Sequence, residues 1–221
     1  MSIRSLRHVR LASVVVVVLA LVVAATALAA RGDPKERFTP ADQARARAME
    51  LRVGDLNPAY AVHPAPISSG GFYCAALDES DLTLSGKGSS PIFTATGEFV
   101  RSIAAVYATR ADANQSWQRA MSPAGAQCQR TALRAELQSS AMRLVSLKRI
   151  PFPSRGTRSV AYRAVATLQG VRFYVDVVTM QVSRAEAGVI YVNALAPPPQ
   201  SEVRRLTGLV ATRAQKAMRG S

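Results

Sequence analysis

The spacing of apolar residues changes along the chain and predicts a mixture of helices and strands. Residues 40–51 and 112–140 carry apolar side chains three or four positions apart, as helices do, and Pro123 divides the second stretch in two. The runs with the alternating or continuously apolar pattern of β-strands are residues 81–88, 99–108, 142–150, 159–168, 171–182 and 187–195. Residues 201–218 return to helical spacing and form one apolar face.

This order of elements predicts an α+β fold, in which a mostly antiparallel sheet is packed by an internal helix and a C-terminal amphipathic helix. Gln169-Gly170 lies between two strand patterns and predicts a two-residue hairpin turn. Residues 59–71 are rich in proline, serine and glycine, so we expect an ordered loop there rather than a strand. We expect Ser201 to cap the final helix.

The N-terminal segment has a different pattern from the rest of the chain. Residues 1–10 carry three arginines and no acidic side chain, and the stretch from Leu11 to Ala30 is uncharged. A helix of that length spans about 30 Å, the thickness of the hydrocarbon core of a bilayer. Two alternatives remain open: a signal anchor with a single hydrophobic helix, or a signal peptide cleaved near Ala29.

Both alternatives place the remainder of the chain outside the cytoplasm, because arginines hold the N-terminal flank inside. The predicted organisation is a signal anchor or signal peptide at residues 1–31, a juxtamembrane linker at residues 32–40, and an extracytoplasmic α+β domain at residues 41–221. An uncleaved leader makes this a single-pass protein of the cell membrane, which is then its partner through Leu11 to Ala30. A cleaved leader makes it a secreted protein.

The net charge of +14 is spread along the chain, since the four arginines of residues 1–31 leave +10 for the rest. The candidate basic patch comprises Arg143, Lys148, Arg149, Arg155 and Arg158, which surround one predicted connection between strands. Outside the cytoplasm such a patch suits a phospholipid surface or an anionic wall polymer. The alternative explanation is generic solubility of an arginine-rich protein. Nucleic acid is not an expected partner, because export separates the domain from the genome.

Cys74 and Cys128 are the only cysteines and lie 54 positions apart. An oxidising exterior permits a disulfide between them, which would stabilise the fold by about 4 kcal/mol through loop-closure entropy. Two separately buried thiols are the alternative. No metal site is expected, because two isolated sulfurs without a nearby histidine do not complete a tetrahedral shell.

Several short motifs resemble the extracellular sensor domain of some actinobacterial serine/threonine kinases and of stand-alone envelope proteins. These are the strand residues 102–107 (SIAAVY), the Ala-Asp-Ala of residues 111–113, Trp117 followed by Cys128, and the Asp-Leu-Asn-Pro of residues 55–58. The resemblance implies an α+β envelope domain with a ligand-binding cleft and no enzymatic activity. This chain departs from that family in having one possible disulfide instead of two, and a longer gap between tryptophan and cysteine.

Candidate catalytic residues are few. His63, the only histidine outside the leader, lies in a proline-rich loop, and Asp78, Glu79 and Asp81 form an acidic cluster typical of a turn. The small glycine-rich turn of residues 86–88 lacks a phosphate-binding fingerprint. Asp176 is expected to face outward from its strand and to pair with Arg163 or Arg172. No catalytic, cofactor or metal residues are therefore predicted.

Four aromatic residues are predicted to lie between the sheet and the helices: Tyr107, Trp117, Phe173 and Tyr191. They form either plain core or the candidate cleft for a small apolar or amphipathic ligand. The predicted function is that of a non-enzymatic cell-envelope domain that binds such a ligand or an envelope component. The alternatives are a structural or adhesion protein that uses its basic surface on anionic wall polymers or phospholipids, and a hydrolase.

Overall fold

Nine strands form one sheet with four α-helices packed on it in the computed structural model, which describes residues 32–65, 73–194 and 196–220. The strands are β1 (Lys35–Glu36), β2 (Ala61–His63), β3 (Thr83–Ser89), β4 (Ile92–Ala95), β5 (Glu98–Tyr107), β6 (Arg143–Arg149), β7 (Arg158–Leu168), β8 (Val171–Val182) and β9 (Ala185–Ala194). The helices are α1 (Pro40–Met49), α2 (Arg110–Met121), α3 (Pro123–Ser139) and α4 (Gln200–Ala217).

The strand order is β1-β3-β5-β9-β8-β7-β6, with β4 pairing beside the start of β5 and β2 pairing with β4. Apart from the parallel pair β1–β3, the described strands pair antiparallel. The structure confirms the predicted α+β class, the mostly antiparallel sheet and the C-terminal helix. The predicted hydrophobic helix of the leader lies outside the described residues, and none of the described helices is both long and apolar enough to cross a bilayer.

The helices cover both faces of the sheet. Helices α1 and α4 share a core cluster with Val189 of β9, so this is termed the α1–α4 face. The opposite, α2–α3 face holds Ile190, which packs with Leu137 of α3, while Ala113 of α2 packs on Tyr107. Neighbouring residues of a strand point to opposite faces, which is why Val189 and Ile190 belong to different clusters.

Three of the helices begin at side-chain caps. The side-chain oxygens of Thr39, Thr109 and Ser122 accept hydrogen bonds from the backbone N–H of the third residue of α1, α2 and α3, at 3.1, 3.0 and 2.9 Å. The expected Ser201 cap of α4 is wrong: the helix begins one residue earlier, and Pro199 precedes it without a side-chain cap. The preceding prolines already stop the strand and direct the chain into the helix.

The predicted hairpin turn between β7 and β8 is confirmed, because Gln169 and Gly170 both adopt positive φ angles, 48° and 81°. The loop expected for residues 59–71 is partly wrong, since β2 pairs antiparallel with β4. Short edge strands tolerate a proline immediately after them, so a proline-rich composition does not exclude pairing.

The glycines of β3 allow a helix to lie close on the strand. A side-chain carbon on Gly86 would lie within 2.4 Å of the carbonyl oxygen of Asp42, and one on Gly88 within 3.0 Å of the backbone of Ala46. Both contacted residues belong to α1. Residues 86–88 therefore lie within a strand, as the pattern of residues 81–88 predicts, and not in the small glycine-rich turn that was also expected there. The two glycines serve helix packing.

Candidate functional site

The four predicted aromatic residues do not share one cleft in the structure. Phe173 lies in the core between the sheet and α3, and Tyr107 lies beneath α2. Trp117, on α2, has the guanidinium carbon of Arg158 5.1 Å from its ring centroid. Tyr191 lies on the α1–α4 face, where it borders a cavity that the other three do not line.

This cavity has a volume of about 420 Å³ and lies where the start of α4 meets the β4–β5 hairpin and the segment before β2. Its wall is formed by Asn57, Ala59, Tyr60, Ala95, Glu98, Tyr191, Pro199, Glu202 and Arg205. Cavities of this size accommodate small molecules. We refer to it as the Glu98 cavity.

Three neutral donors hold the carboxylate of Glu98 in this cavity. Its Oε2 accepts hydrogen bonds from the hydroxyl of Tyr191, at 2.9 Å, and from the hydroxyl of Tyr60. Its Oε1 accepts one from Nδ2 of Asn193 at 3.2 Å. Within the described chain this carboxylate has no ion pair with a lysine or arginine, so only neutral hydrogen-bond donors stabilise its negative charge.

The antiparallel pairing of β5 with β9 positions most of this group. Glu98 lies directly opposite Asn193, and Val100, two residues further along β5, lies opposite Tyr191. Since side chains alternate in a strand, Glu98, Asn193 and Tyr191 share the α1–α4 face. Tyr60 reaches them from a separate segment that is tied to α4, because both side-chain oxygens of Asp55 accept hydrogen bonds from Arg213 at 2.5 and 2.7 Å.

Burial raises the pKa of Tyr60, and its hydrogen bond to Glu98 raises that pKa further. Burial likewise raises the pKa of Tyr191. Both hydroxyls therefore remain protonated donors at neutral pH. On the other side of the cavity, Glu202 is paired with Arg205 at 2.6 Å, so its charge is already balanced.

A second carboxylate–tyrosine group lies on the α2–α3 face, beneath α2. The hydroxyl of Tyr107 lies 3.1 Å from Oε2 of Glu79 and 2.8 Å from Oγ of Ser116. Burial, and secondarily the nearby charge of Glu79, raises the pKa of Glu186 to about 8. Burial also raises the pKa of Glu79. We call Glu79, Tyr107, Ser116 and Glu186 the closed cluster, because α2 covers this group and none of the four residues borders the Glu98 cavity.

The three acidic residues predicted as a turn have separate environments. Asp81 accepts two hydrogen bonds from Arg119, at 2.6 and 2.8 Å, which lower its pKa to about 2. Arg119 also donates to the backbone oxygen of Asp78. Glu79 instead joins the closed cluster, a placement that sequence reasoning missed because its partner Glu186 lies more than a hundred positions away.

The predicted basic patch divides between the two faces of the sheet. Arg143, Lys148 and Arg149 are exposed on β6, whereas Arg155 and Arg158 are half-buried. Alternation places Lys148 opposite Arg163 on the α1–α4 face and Arg149 opposite Tyr162 on the α2–α3 face. The Arg158 guanidinium lies on the α2–α3 face as well, where it donates to Asn114 at 2.8 Å.

The disulfide expected between Cys74 and Cys128 is present, and it links the segment before β3 to α3 with a Cα–Cα separation of 6.1 Å. Two separate thiols are thereby excluded. The expectation for Asp176 is half correct: it pairs with Arg163 at 2.6 and 2.7 Å, but it is fully buried instead of facing outward. Gln200, at the start of α4, covers it and donates to it at 2.8 Å.

His63 lies on β2, with Nε2 3.0 Å from the hydroxyl of Thr94. Among the described residues, no group of three or more His, Cys, Asp or Glu side chains is arranged to hold a metal ion. Sequence reasoning missed Tyr60, Glu98 and Arg205 as cavity residues. The only signal it had was the strand pattern of β5 and β9, which does not say how the two strands align.

Comparison with known proteins adds no relative: no protein-family model matches this chain, and no curated protein matches it.

Proposed function

We propose that residues 41–221 form a non-enzymatic binding domain of the cell envelope, which holds a small amphipathic ligand in the Glu98 cavity. The observation that carries this proposal is the carboxylate of Glu98, which lines the cavity and is held by two tyrosine hydroxyls and the Asn193 amide. A carboxylate fixed in this way is a preorganised acceptor for a donor group of a ligand.

The cavity favours a ligand with a cationic head and an apolar body. Glu98 has no cationic partner within the described chain, so an amine would supply the missing charge and form a charge-assisted hydrogen bond. The side chains of Tyr60 and Tyr191 provide aromatic surface beside that carboxylate, and the alanines of the wall provide apolar surface.

A binding role fits these residues better than catalysis. General acid–base chemistry needs groups that exchange protons near neutral pH, and the raised pKa values of Tyr60 and Tyr191 keep their protons in place. Glu202 is engaged by Arg205. The carboxyl groups whose pKa burial raises do not line the cavity; they are Asp33, Glu50, Glu79 and Glu186.

An extracytoplasmic location is supported by the disulfide, which persists in oxidising compartments, and by the basic, apolar leader in the sequence. The resemblance to extracellular sensor domains points to the same compartment. A cytosolic C-terminal reporter fusion would contradict this part of the proposal.

The test is isothermal titration calorimetry of the full chain in non-ionic detergent, with benzylamine and benzyl alcohol as probes. We expect benzylamine to bind the wild type and to lose about tenfold in affinity in Glu98→Gln, since a charge-assisted hydrogen bond is worth roughly 1.5–3 kcal/mol. Benzyl alcohol should change much less.

The matched control is Glu136→Gln on α3, remote from the cavity, which should leave both affinities unchanged. Equal benzylamine affinity in the wild type and Glu98→Gln, or no binding by either, would contradict the proposed ligand site. Urea unfolding of each variant establishes that a lost affinity does not reflect a lost fold.

A further inference from the structure

Part of the α1–α4 face that does not line the Glu98 cavity carries side chains arranged in rows. Helix α4 packs mainly on β8 and β9, and α1 packs mainly on β3 and β5. On β6 and at the start of β8, Arg143, Lys148 and Arg172 are exposed. The positions of these charged residues are therefore fixed by the pairing register of the strands and not by a flexible loop.

Two rows of basic side chains cross these strands. In one row Arg143 lies opposite Thr167, which lies opposite Arg172. In the other row Lys148 lies opposite Arg163. Neighbouring strands place paired residues about 5 Å apart, and the four steps along β7 from Arg163 to Thr167 separate the rows by about 14 Å.

Between these rows lies a third, uncharged row, in which Ser146 is opposite Val165 and Val165 is opposite Tyr174. The hydroxyls of Ser146, Thr167 and Tyr174 add neutral hydrogen-bonding groups among the cations. This combination suits the oxygens of phosphate groups, because guanidinium groups bind them bidentately and hydroxyls donate to them.

Helix α4 extends the positive surface at its start. Gln200 contacts Asp176, and an added side-chain carbon on Gly208, two turns further along, would lie 3.9 Å from Arg155. Arg204 is one turn from each of them, so it lies on the same side of α4 and is exposed. We define the basic face as Arg143, Lys148, Arg163, Arg172 and Arg204.

Most cations of the basic face have no acidic partner within the described chain, the exception being Arg163, which pairs with buried Asp176. Other arginines of α4 are balanced: Arg205 pairs with Glu202, and Arg213 pairs with Asp55. Arginines without an ion pair also occur elsewhere among the described residues, including Arg130 and Arg134 of α3. The basic face differs from them in that strand pairing aligns most of its cations in rows.

We infer that the basic face binds a linear, phosphate-bearing polyanion outside the cell, such as an anionic polymer of the wall. The two rows lie about 14 Å apart, a distance that a polymer bridges with several phosphates at once, so affinity should rise with chain length. A membrane surface fits less well, because β1, the first described strand after the leader, lies at the opposite edge of the sheet from β6.

The experiment measures fluorescence anisotropy of labelled long-chain inorganic polyphosphate with the full chain in non-ionic detergent. Lys148→Glu combined with Arg172→Glu should weaken binding by about tenfold or more and make the salt dependence shallower, by about one unit of log–log slope per lost contact. Pyrophosphate should compete poorly at equal phosphate concentration.

The matched control reverses two exposed arginines of α3, Arg130→Glu with Arg134→Glu, and changes the net charge by the same amount on the other face. We expect less than about a twofold effect from it. Equal weakening in both double variants would show a net-charge effect only and overturn the assignment, as would no binding by the wild type.

A membrane partner is separated by competition with mixed micelles. Displacement of polyphosphate by micelles containing phosphatidylglycerol, but not phosphatidylcholine, at the same phosphate concentration would overturn the polymer in favour of a lipid surface. Glu98→Gln should leave polyphosphate binding unchanged, so failure at the Glu98 cavity and failure at the basic face are distinguishable.

Discussion

Strand β5 ends in two groups of similar composition and different character. Glu98, at its start, faces the Glu98 cavity with two tyrosines, and Tyr107, at its end, lies in the closed cluster with two glutamates. Nine positions separate Glu98 from Tyr107, so alternation places them on opposite faces of the sheet. Both groups contain glutamate and tyrosine, so residue types alone do not distinguish them. They differ in whether a helix covers them.

Helix α2 covers the closed cluster, and burial raises the pKa values of both of its glutamates. Oε1 of Glu186 is buried and has no hydrogen-bond partner in the described structure. Glu98 instead has a donor at each oxygen and borders open space. A carboxyl group beside a tyrosine therefore holds its proton more tightly when a helix buries it. A carboxylate beside a tyrosine that borders a cavity is instead placed to accept a hydrogen bond from a ligand.

The largest expected difference between the two groups is the loss in the free energy of unfolding when their tyrosines are replaced. Tyr107→Ala should lower the free energy of unfolding by about 5 kcal/mol, because it leaves a cavity and removes a donor beside two buried carboxylates. Tyr60→Ala, at the half-buried rim of the Glu98 cavity, should cost about 2 kcal/mol. Urea unfolding measures both, and equal losses would remove the distinction between covered and open groups.

Should Tyr107→Ala fail to fold, Tyr107→Phe keeps the ring and removes the hydroxyl alone. Its expected cost is about 1–2 kcal/mol, compared with less for Tyr60→Phe.

The disulfide should stabilise the part of the protein around the closed cluster more than the part around the Glu98 cavity. Replacing Cys74 and Cys128 with serine should lower the free energy of unfolding by about 4 kcal/mol, because the bridge closes a long loop in the unfolded chain. Hydrogen exchange should accelerate more at the Leu77 amide, beside the bridge, than at the Tyr60 amide. Equal acceleration at both would mean that the bridge acts only on global stability.

The closed cluster should also make stability depend on pH. The pKa of Glu186 is about 8 in the folded protein against an ordinary value of 4.5, so the folded state holds more protons between these pH values. The unfolding free energy should therefore be highest near the lower value and fall as pH rises toward 8, by roughly 1.4 kcal/mol per pH unit at most.

Glu186→Gln should remove most of this decline, and Glu36→Gln, on the exposed strand β1, should leave it intact. The readout is urea unfolding at a series of pH values from about 5 to 9. A wild-type stability that rises across this range would contradict the buried proton.

Much of the fold could be predicted because its strands are long and its turns have strong local preferences. Strands β7 and β8 are 11 and 12 residues long, are rich in β-branched and aromatic side chains, and are joined at Gln169 and Gly170, where glycine favours a positive φ. Strands β2 and β4 were missed because each is short, and β2 pairs, among the described strands, only with β4, about thirty positions further along the chain. Three or four residues contain too little periodicity to identify a strand.

The sites were far less predictable than the fold. Tyr60, Glu98 and Tyr191 are brought together over separations of up to 131 positions, and no local pattern marks them. The predicted aromatic set contains Tyr191 but joins it to three residues that lie elsewhere in the core. The basic patch likewise mixed Lys148 with Arg149, whose side chains point to opposite faces.

By itself the sequence determined the α+β class, the position of most helices and strands and the excess of positive charge. These follow from periodicity, turn preferences and composition, which act over a few neighbouring residues. Only the tertiary structure decided which carboxylate borders a cavity, which is covered by a helix, and which arginines share a surface. Those outcomes depend on strand register and helix placement, because a shift of one residue in register moves every side chain to the other face.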